Sequence, residues 1–159
     1  MRRRKLTPNF QRSTALIEED GTKITATSFA TALSSFALDH LRGAIVVEHH
    51  GESDGIISVS PNLAAHAIKT IVSYAKPDEL VHLNINIDSV MDMEIIFREL
   101  PSSEILSHLM NLSRSYGFAV SRSEKSITLT ADIRIEQTIK VYAISACDFE
   151  RILLDIFDL

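Results

Sequence analysis

Three side chains able to meet a phosphate stand at helical spacing: Asn62, His66 and Lys69. On a helix turning about 100° per residue, Leu63, Ala64, Ala67, Ile68, Ile71, Val72 and Ala75 make one broad apolar face. Asn62, His66, Lys69, Thr70 and Ser73 fall opposite it. The apolar face must pack on other elements, which directs the polar face to water or to a ligand. Asn62 and His66 are one turn apart and therefore neighbours, with a cation following at Lys69. An amide, an imidazole and an ammonium can jointly hold a phosphate or a phosphate-bound metal. A plain surface helix presents a polar face as well, so spacing alone leaves both readings open.

Other groups carry less chemistry. Glu48-His49-His50 with Glu52 and Asp54 gathers metal-binding side chains. Adjacent residues of a strand point to opposite faces, however, and zinc needs three or four converging ligands. The group reads as a solvated turn. His40 sits at a helix end, where the dipole favours it. His82, Asn84, Asn86 and Asp88 alternate along the outer face of a strand. Cys147 precedes the last helix and reads as a small buried residue. No Ser/His/Asp motif, P-loop or dinucleotide-binding fingerprint is present.

The elements that must carry these residues follow from pattern. Thr14–Glu18 and Thr22–Thr27 flank Asp20-Gly21, a hairpin signal. Ser28 can cap a helix with Phe29, Leu33, Phe36, Ala37 and Leu41 on one stripe, ended by Gly43. Ala44–His49 and Ile56–Ser60 read as strands. Ser60-Pro61 opens the Asn62–Ala75 helix, which ends before Lys76-Pro77. Val81–Asp88 and Met91–Phe97 alternate as an antiparallel pair with one buried face. Ser102 caps a helix carrying Ile105, Leu106, Leu109, Leu112 and Tyr116, closed by Gly117. Phe118–Ser121 and Ser126–Ile133 form a further hairpin, then a strand at Thr138–Ile144 and a helix at Asp148–Phe157. Hairpins mixed with helices, without repeated βαβ units, predict an α+β fold. It is a two-layer sandwich: a largely antiparallel mixed sheet with helices on one face.

Composition sets the outer limits. The chain has 159 residues, 45% apolar and 23% charged, which suits one globular domain. We expect a basic arm over residues 1–12 and a single domain over 13–159. The first 25 residues hold six basic against three acidic side chains, hence +3, which leaves −8 of the net −5 for the remainder. An acidic body lacks the basic stripe of a nucleic-acid surface. No apolar run is long enough to span a bilayer. The single cysteine excludes an internal disulfide and a Cys-based zinc cluster, and fits a reducing, cytoplasmic setting.

Asn62-Leu63-Ala64-Ala65-His66-Ala67-Ile68-Lys69 resembles the N-box of histidine-kinase-type ATPase domains, the GHKL superfamily, typically Asn-Leu-x-x-Asn-Ala-x-Lys on a helix. The order of elements over about residues 56–133 agrees: two strands, a helix, then Gly117-Phe118-Ala119-Val120 and a hairpin. His66 stands where the family places its magnesium-ligating second Asn. Arg98-Glu99-Leu100-Pro101 replaces the Asp-x-Gly box that reads adenine; Glu99 can imitate the acid, but Pro101 cannot imitate a glycine. Ser102-Ser103-Glu104-Ile105-Leu106 replaces the glycine-rich turn, and the link from Phe97 is too short for an ATP lid. Asp39-His40-Leu41-Arg42 resembles the phosphoacceptor box of histidine kinases with one residue missing.

The resemblance therefore implies a degenerate member: a histidine-kinase ATPase-like fold with an eroded nucleotide site. Its vestigial site would be Asn62, His66, Lys69 and Glu99, with His66 the candidate metal ligand, suited to zinc or nickel rather than magnesium. No catalytic residue and no cofactor are expected, ATP with magnesium being what an intact site would take. The implied role is non-catalytic signalling or regulation through protein contacts, as in phosphotransfer adaptors and anti-sigma regulators. A protein partner is expected, with a homodimer as one form of it, and neither nucleic acid nor membrane. The helices at 28–42 and 148–157 are candidate partner surfaces. The competing readings are an ATP-binding protein kinase using the same four residues, and an unrelated small-ligand or structural α+β domain.

Overall fold

A computed structural model describes residues 22–135 and 143–159. Helix α1 spans Ala26–His40. Its cap is Thr25, whose side chain accepts the N–H of Ser28 at 3.1 Å, so Ser28 lies inside the first turn. The strand expected over 22–27 reduces to one antiparallel bridge, Thr25 to Ile56. Two hydroxyl residues three apart both read as caps; the helix takes the earlier one because Ala26, Phe29, Ala30, Leu33, Phe36 and Ala37 are then all buried. The helix also stops at a Leu41 cap rather than at Gly43.

Strand β1 follows at Ile45–His50, and β2 is only Ile56–Ile57, shorter than the expected 56–60. Between them Gly51 takes a left-handed φ of +86°, and a Cβ there would stand 2.0 Å from the Ile87 carbonyl oxygen. Only glycine permits that approach. Helix α2, Pro61–Val72, starts as expected: Ser60 caps it by accepting the Leu63 N–H at 3.4 Å, and Pro61 occupies the first turn.

Strands β3, Val81–Ile87, and β4, Val90–Ile96, pair antiparallel, with Leu83 opposite Ile95 and Ile85 opposite Met93. Helix α3 runs Ser103–Ser115 from a Ser102 cap, and Gly117 follows at φ +105°. Strands β5, Ala119–Arg122, and β6, Ser126–Arg134, close the hairpin. Helix α4, Ala146–Ile156, is capped by Ser145. The hairpin at Asp20-Gly21 and most of the strand expected at 138–144 lie outside the described residues. Ile144 N–H does bond the Lys23 carbonyl at 2.9 Å.

The fold is α+β with a six-stranded mixed sheet in the order β1-β3-β4-β6-β2, β5 also pairing with β6. Every described pairing is antiparallel except β1 with β3. Alternation decides the layers. Leu83, Ile85, Met91, Met93, Ile95, Ile127 and Leu129 are fully buried toward the helices. His82, Asn86, Asp88 and Asp132 are exposed on the other face. Each fully buried aliphatic side chain contributes about 1.5–3 kcal/mol, so this inner face is the principal source of stability.

Candidate functional site

Helix α2 buries Pro61, Ala64, Ala65, Ala67, Ile68 and Ile71. Ala65 lies outside the apolar stripe read from spacing, yet it is inaccessible to water. A second element therefore covers that side. It is α4, which buries Phe149, Leu153 and Ile156 against α1 and α2. Phe149 meets Phe29 with ring centroids 5.4 Å apart. The apolar stripe of the candidate partner surface at 148–157 is thus core, while Asp148, Arg151 and Asp155 stay exposed.

The polar face of α2 is only partly open: Asn62, His66, Lys69 and Thr70 are half-buried, and Ser73 is exposed. Lys69 Nζ donates to the Ile156 carbonyl at 2.7 Å and to Asp158 Oδ2 at 3.2 Å. The ammonium thus meets an orphan carbonyl at the end of α4, where the helix dipole favours a cation. Asp158 is left-handed, φ +59°; its N–H bonds the Asp155 carbonyl, and that of Leu159 bonds Leu154. This is a Schellman ending with Asp where glycine is usual, and it brings the carboxylate to Lys69.

His66 is half-buried on the same face, close enough to feel both charges. Burial lowers its pKa below the usual 6.5; the Lys69 charge lowers it further, and Asp158 opposes both. A neutral imidazole with both nitrogens at hand is a metal ligand in type, but among the described residues no three or more His, Cys, Asp or Glu converge to hold an ion. Asn62 is half-buried at the start of the helix.

Glu99 belongs to a different corner. It pairs with Lys76, both side chains being largely exposed. Beside them Glu79 is only 7% exposed, and its carboxylate accepts the backbone N–H groups of Arg98, Glu99 and Lys76. These residues with Pro77 and Asp78 line an open depression of about 550 Å³. Asn62, His66 and Lys69 are not among its walls. The structure thus gathers His66 and Lys69 with Asp158, and Glu99 with Lys76 and Glu79.

The remaining sequence candidates are dispersed. Glu48 and His50 are exposed on the outer side of β1, while His49 turns inward with its Nδ1 buried and unpartnered. His40 stacks on Phe36, centroids 5.0 Å apart. Cys147 is exposed rather than buried. On the outer sheet face, Thr130 donates to Asp92 at 2.6 Å and Ser126 to Glu94 at 2.8 Å. Sequence reasoning missed Asp158 and Glu79. A Lys76-to-Glu79 spacing around Pro77 was the available signal for Glu79; nothing local pairs residue 69 with residue 158.

No known family profile matches the chain, and no curated protein does. Solved structures with some likeness include histidine kinases. A mycobacterial sensor histidine kinase, MprB, is 12% identical with a TM-score of 0.38, over 72% of this chain and 98% of that one. The Acinetobacter baumannii histidine kinase AdeS is 10% identical with a TM-score of 0.45, over 79% and 76%. The histidine kinase domain of the Erythrobacter litoralis EL346 blue-light activated kinase is 16% identical with a TM-score of 0.38, over 72% and 67%. The likeness is one of architecture, and the functional reading rests on the chain's own residues. No helix among the described residues is long and apolar enough to cross a membrane.

Proposed function

We propose that this chain is a signalling or regulatory domain of histidine-kinase ATPase-like fold that acts through protein contacts, in the manner of a phosphotransfer adaptor or an anti-sigma regulator, and does not turn over ATP. The observation that carries the reading is the engagement of Lys69. The N-box resemblance would aim that ammonium at a phosphate, whereas here it is held by Ile156 and Asp158 of the same chain. Glu99, the substitute for an adenine-reading acid, is likewise paired with Lys76.

Further support comes from the link between β4 and α3. It runs from Phe97 to Ser102, contains Pro101 and holds no glycine. Phosphate cradles need backbone N–H groups that approach the oxygens closely. The test is incubation with γ-labelled ATP and magnesium. The reading expects no label on the protein and no phosphate release above buffer. Label retained on a histidine, His40 in particular, would overturn it in favour of the kinase.

A further inference from the structure

We propose that two copies of this chain associate by antiparallel pairing of their β1 strands, each sheet continuing into the other. The inference stands independently of the functional reading. Among the described residues strand β1 ends the sheet, with β3 as its single neighbour. Val81 N–H bonds the Ala44 carbonyl at 2.9 Å, which fixes the phase: the even residues of β1 direct their backbone groups at β3. Those of Ile45, Val47 and His49 point away from it. Ile45 N–H is taken by the Leu41 carbonyl at 3.2 Å. Ser34 Oγ reaches the Val47 carbonyl at 3.3 Å, leaving that oxygen a second lone pair. The N–H groups of Val47 and His49, and the carbonyls of Ile45 and His49, have no partner among the described residues. His49 Nδ1 is unpartnered beside them.

An edge with backbone groups left over is a template for further pairing. Edges are blunted by a lysine or other charge, a proline, a bulge or a covering helix; Ile45–His50 has no lysine or proline and its pairing with β3 is unbroken in register, so Glu48 and the contacts from Leu41 and Ser34 are what guard it. Val46 is 37% exposed on it.

The occupant that fits is a second copy. Antiparallel pairing about a two-fold axis at Val47 sets Val47 opposite its equivalent, Ile45 opposite His49 and Val46 opposite Glu48. Both free donors, Val47 and His49 N–H, then meet acceptors on Val47 and Ile45, and no two like charges face each other. Self-complementarity of this kind is what an isologous interface requires.

The adjoining helix face supports it. Ser34 touches the edge carbonyl, so the α1 stripe of Thr31, Ser34, Ser35 and Leu38 lies along the same border. Three small polar residues allow close approach, and Leu38 is 62% exposed, a large apolar side chain without cover. Strand pairing plus this stripe places the interface at the small end of stable ones, below roughly 1,200 Å² in total, so association in the micromolar range is expected.

Sedimentation equilibrium from about 10 to about 500 µM tests it, a range that spans weak dimers. The full chain should shift toward twice 17.7 kDa as concentration rises. Leu38→Lys places a charge on an exposed position, and Val47→Pro removes a donor unused within one copy. Each should weaken association at least tenfold; circular dichroism unchanged from wild type establishes that the variant is folded. Amide exchange at Val47 and His49 in the unaltered chain should slow as concentration rises. A chain that stays monomeric throughout, or a dimer that persists in Leu38→Lys with both amides exchanging independently of concentration, overturns the proposal.

Discussion

Lys69 is the residue on which the reading of the site turns. Its side chain remains 35% exposed and Asp158 is 80% exposed, so their ion pair alone contributes little. The bond to the Ile156 carbonyl is the stronger half, because it satisfies a helix end that α4 otherwise leaves open. Lys69→Ala should therefore lower stability by about 1 kcal/mol, read from urea unfolding, whereas Asp158→Asn should fall within about 0.5 kcal/mol of wild type. Equal effects of the two would mean that the ion pair, not the helix end, is what matters.

His66 gives this face a pH signature. Its folded pKa lies below the unfolded value of 6.5, so below that value the unfolded chain takes up the proton first. The stability present above pH 6.5 should begin to fall as acid passes that point, and go on falling until the folded-state pKa is passed. Denaturant midpoints between pH 8 and pH 5, compared with those of His66→Gln, isolate the effect. The variant should show a flatter profile over this window; identical profiles would show that the imidazole feels neither burial nor Lys69.

At the scale of elements, the corner under Glu79 joins the end of α2 to the end of β4. One buried carboxylate collects the backbone donors of Lys76, Arg98 and Glu99. Glu79→Ala leaves those N–H groups without a partner and should cost about 2 kcal/mol in unfolding experiments. The neighbouring Glu99→Ala, which removes an exposed pair only, should cost less than about 1 kcal/mol. Wherever one alternating or periodic face meets one partner, the element was legible from sequence. Val81–Ile87, Val90–Ile96 and the Ser102-capped α3 are such cases. The α2 face was misread because its second side buries Ala65 and engages the Lys69 ammonium, which a polar–apolar pattern counts as neutral and wet. The start of α1 was misread because Thr25 and Ser28 are both competent caps. The parallel β1–β3 pairing left no sequence trace, since it joins segments with α2 between them.

At the scale of the molecule, one face of the sheet is packed by helices and the other is polar, and the C-terminal helix sets Phe149, Leu153 and Ile156 into the core. Asn62, His66 and Lys69 lie on one helix, and the chain's last residues engage the Lys69 ammonium. The proposed function makes one central claim: with Lys69 engaged by Ile156 and Asp158, the N-box-like face takes no nucleotide. Thermal unfolding at millimolar ATP, with and without magnesium, tests it most directly. A ligand at about a thousand times its dissociation constant stabilises a fold by about 4 kcal/mol, a shift of many degrees for a domain of this size. The account predicts superimposable curves for the wild-type chain. A magnesium-dependent rise in melting temperature that is lost in Lys69→Ala would contradict it.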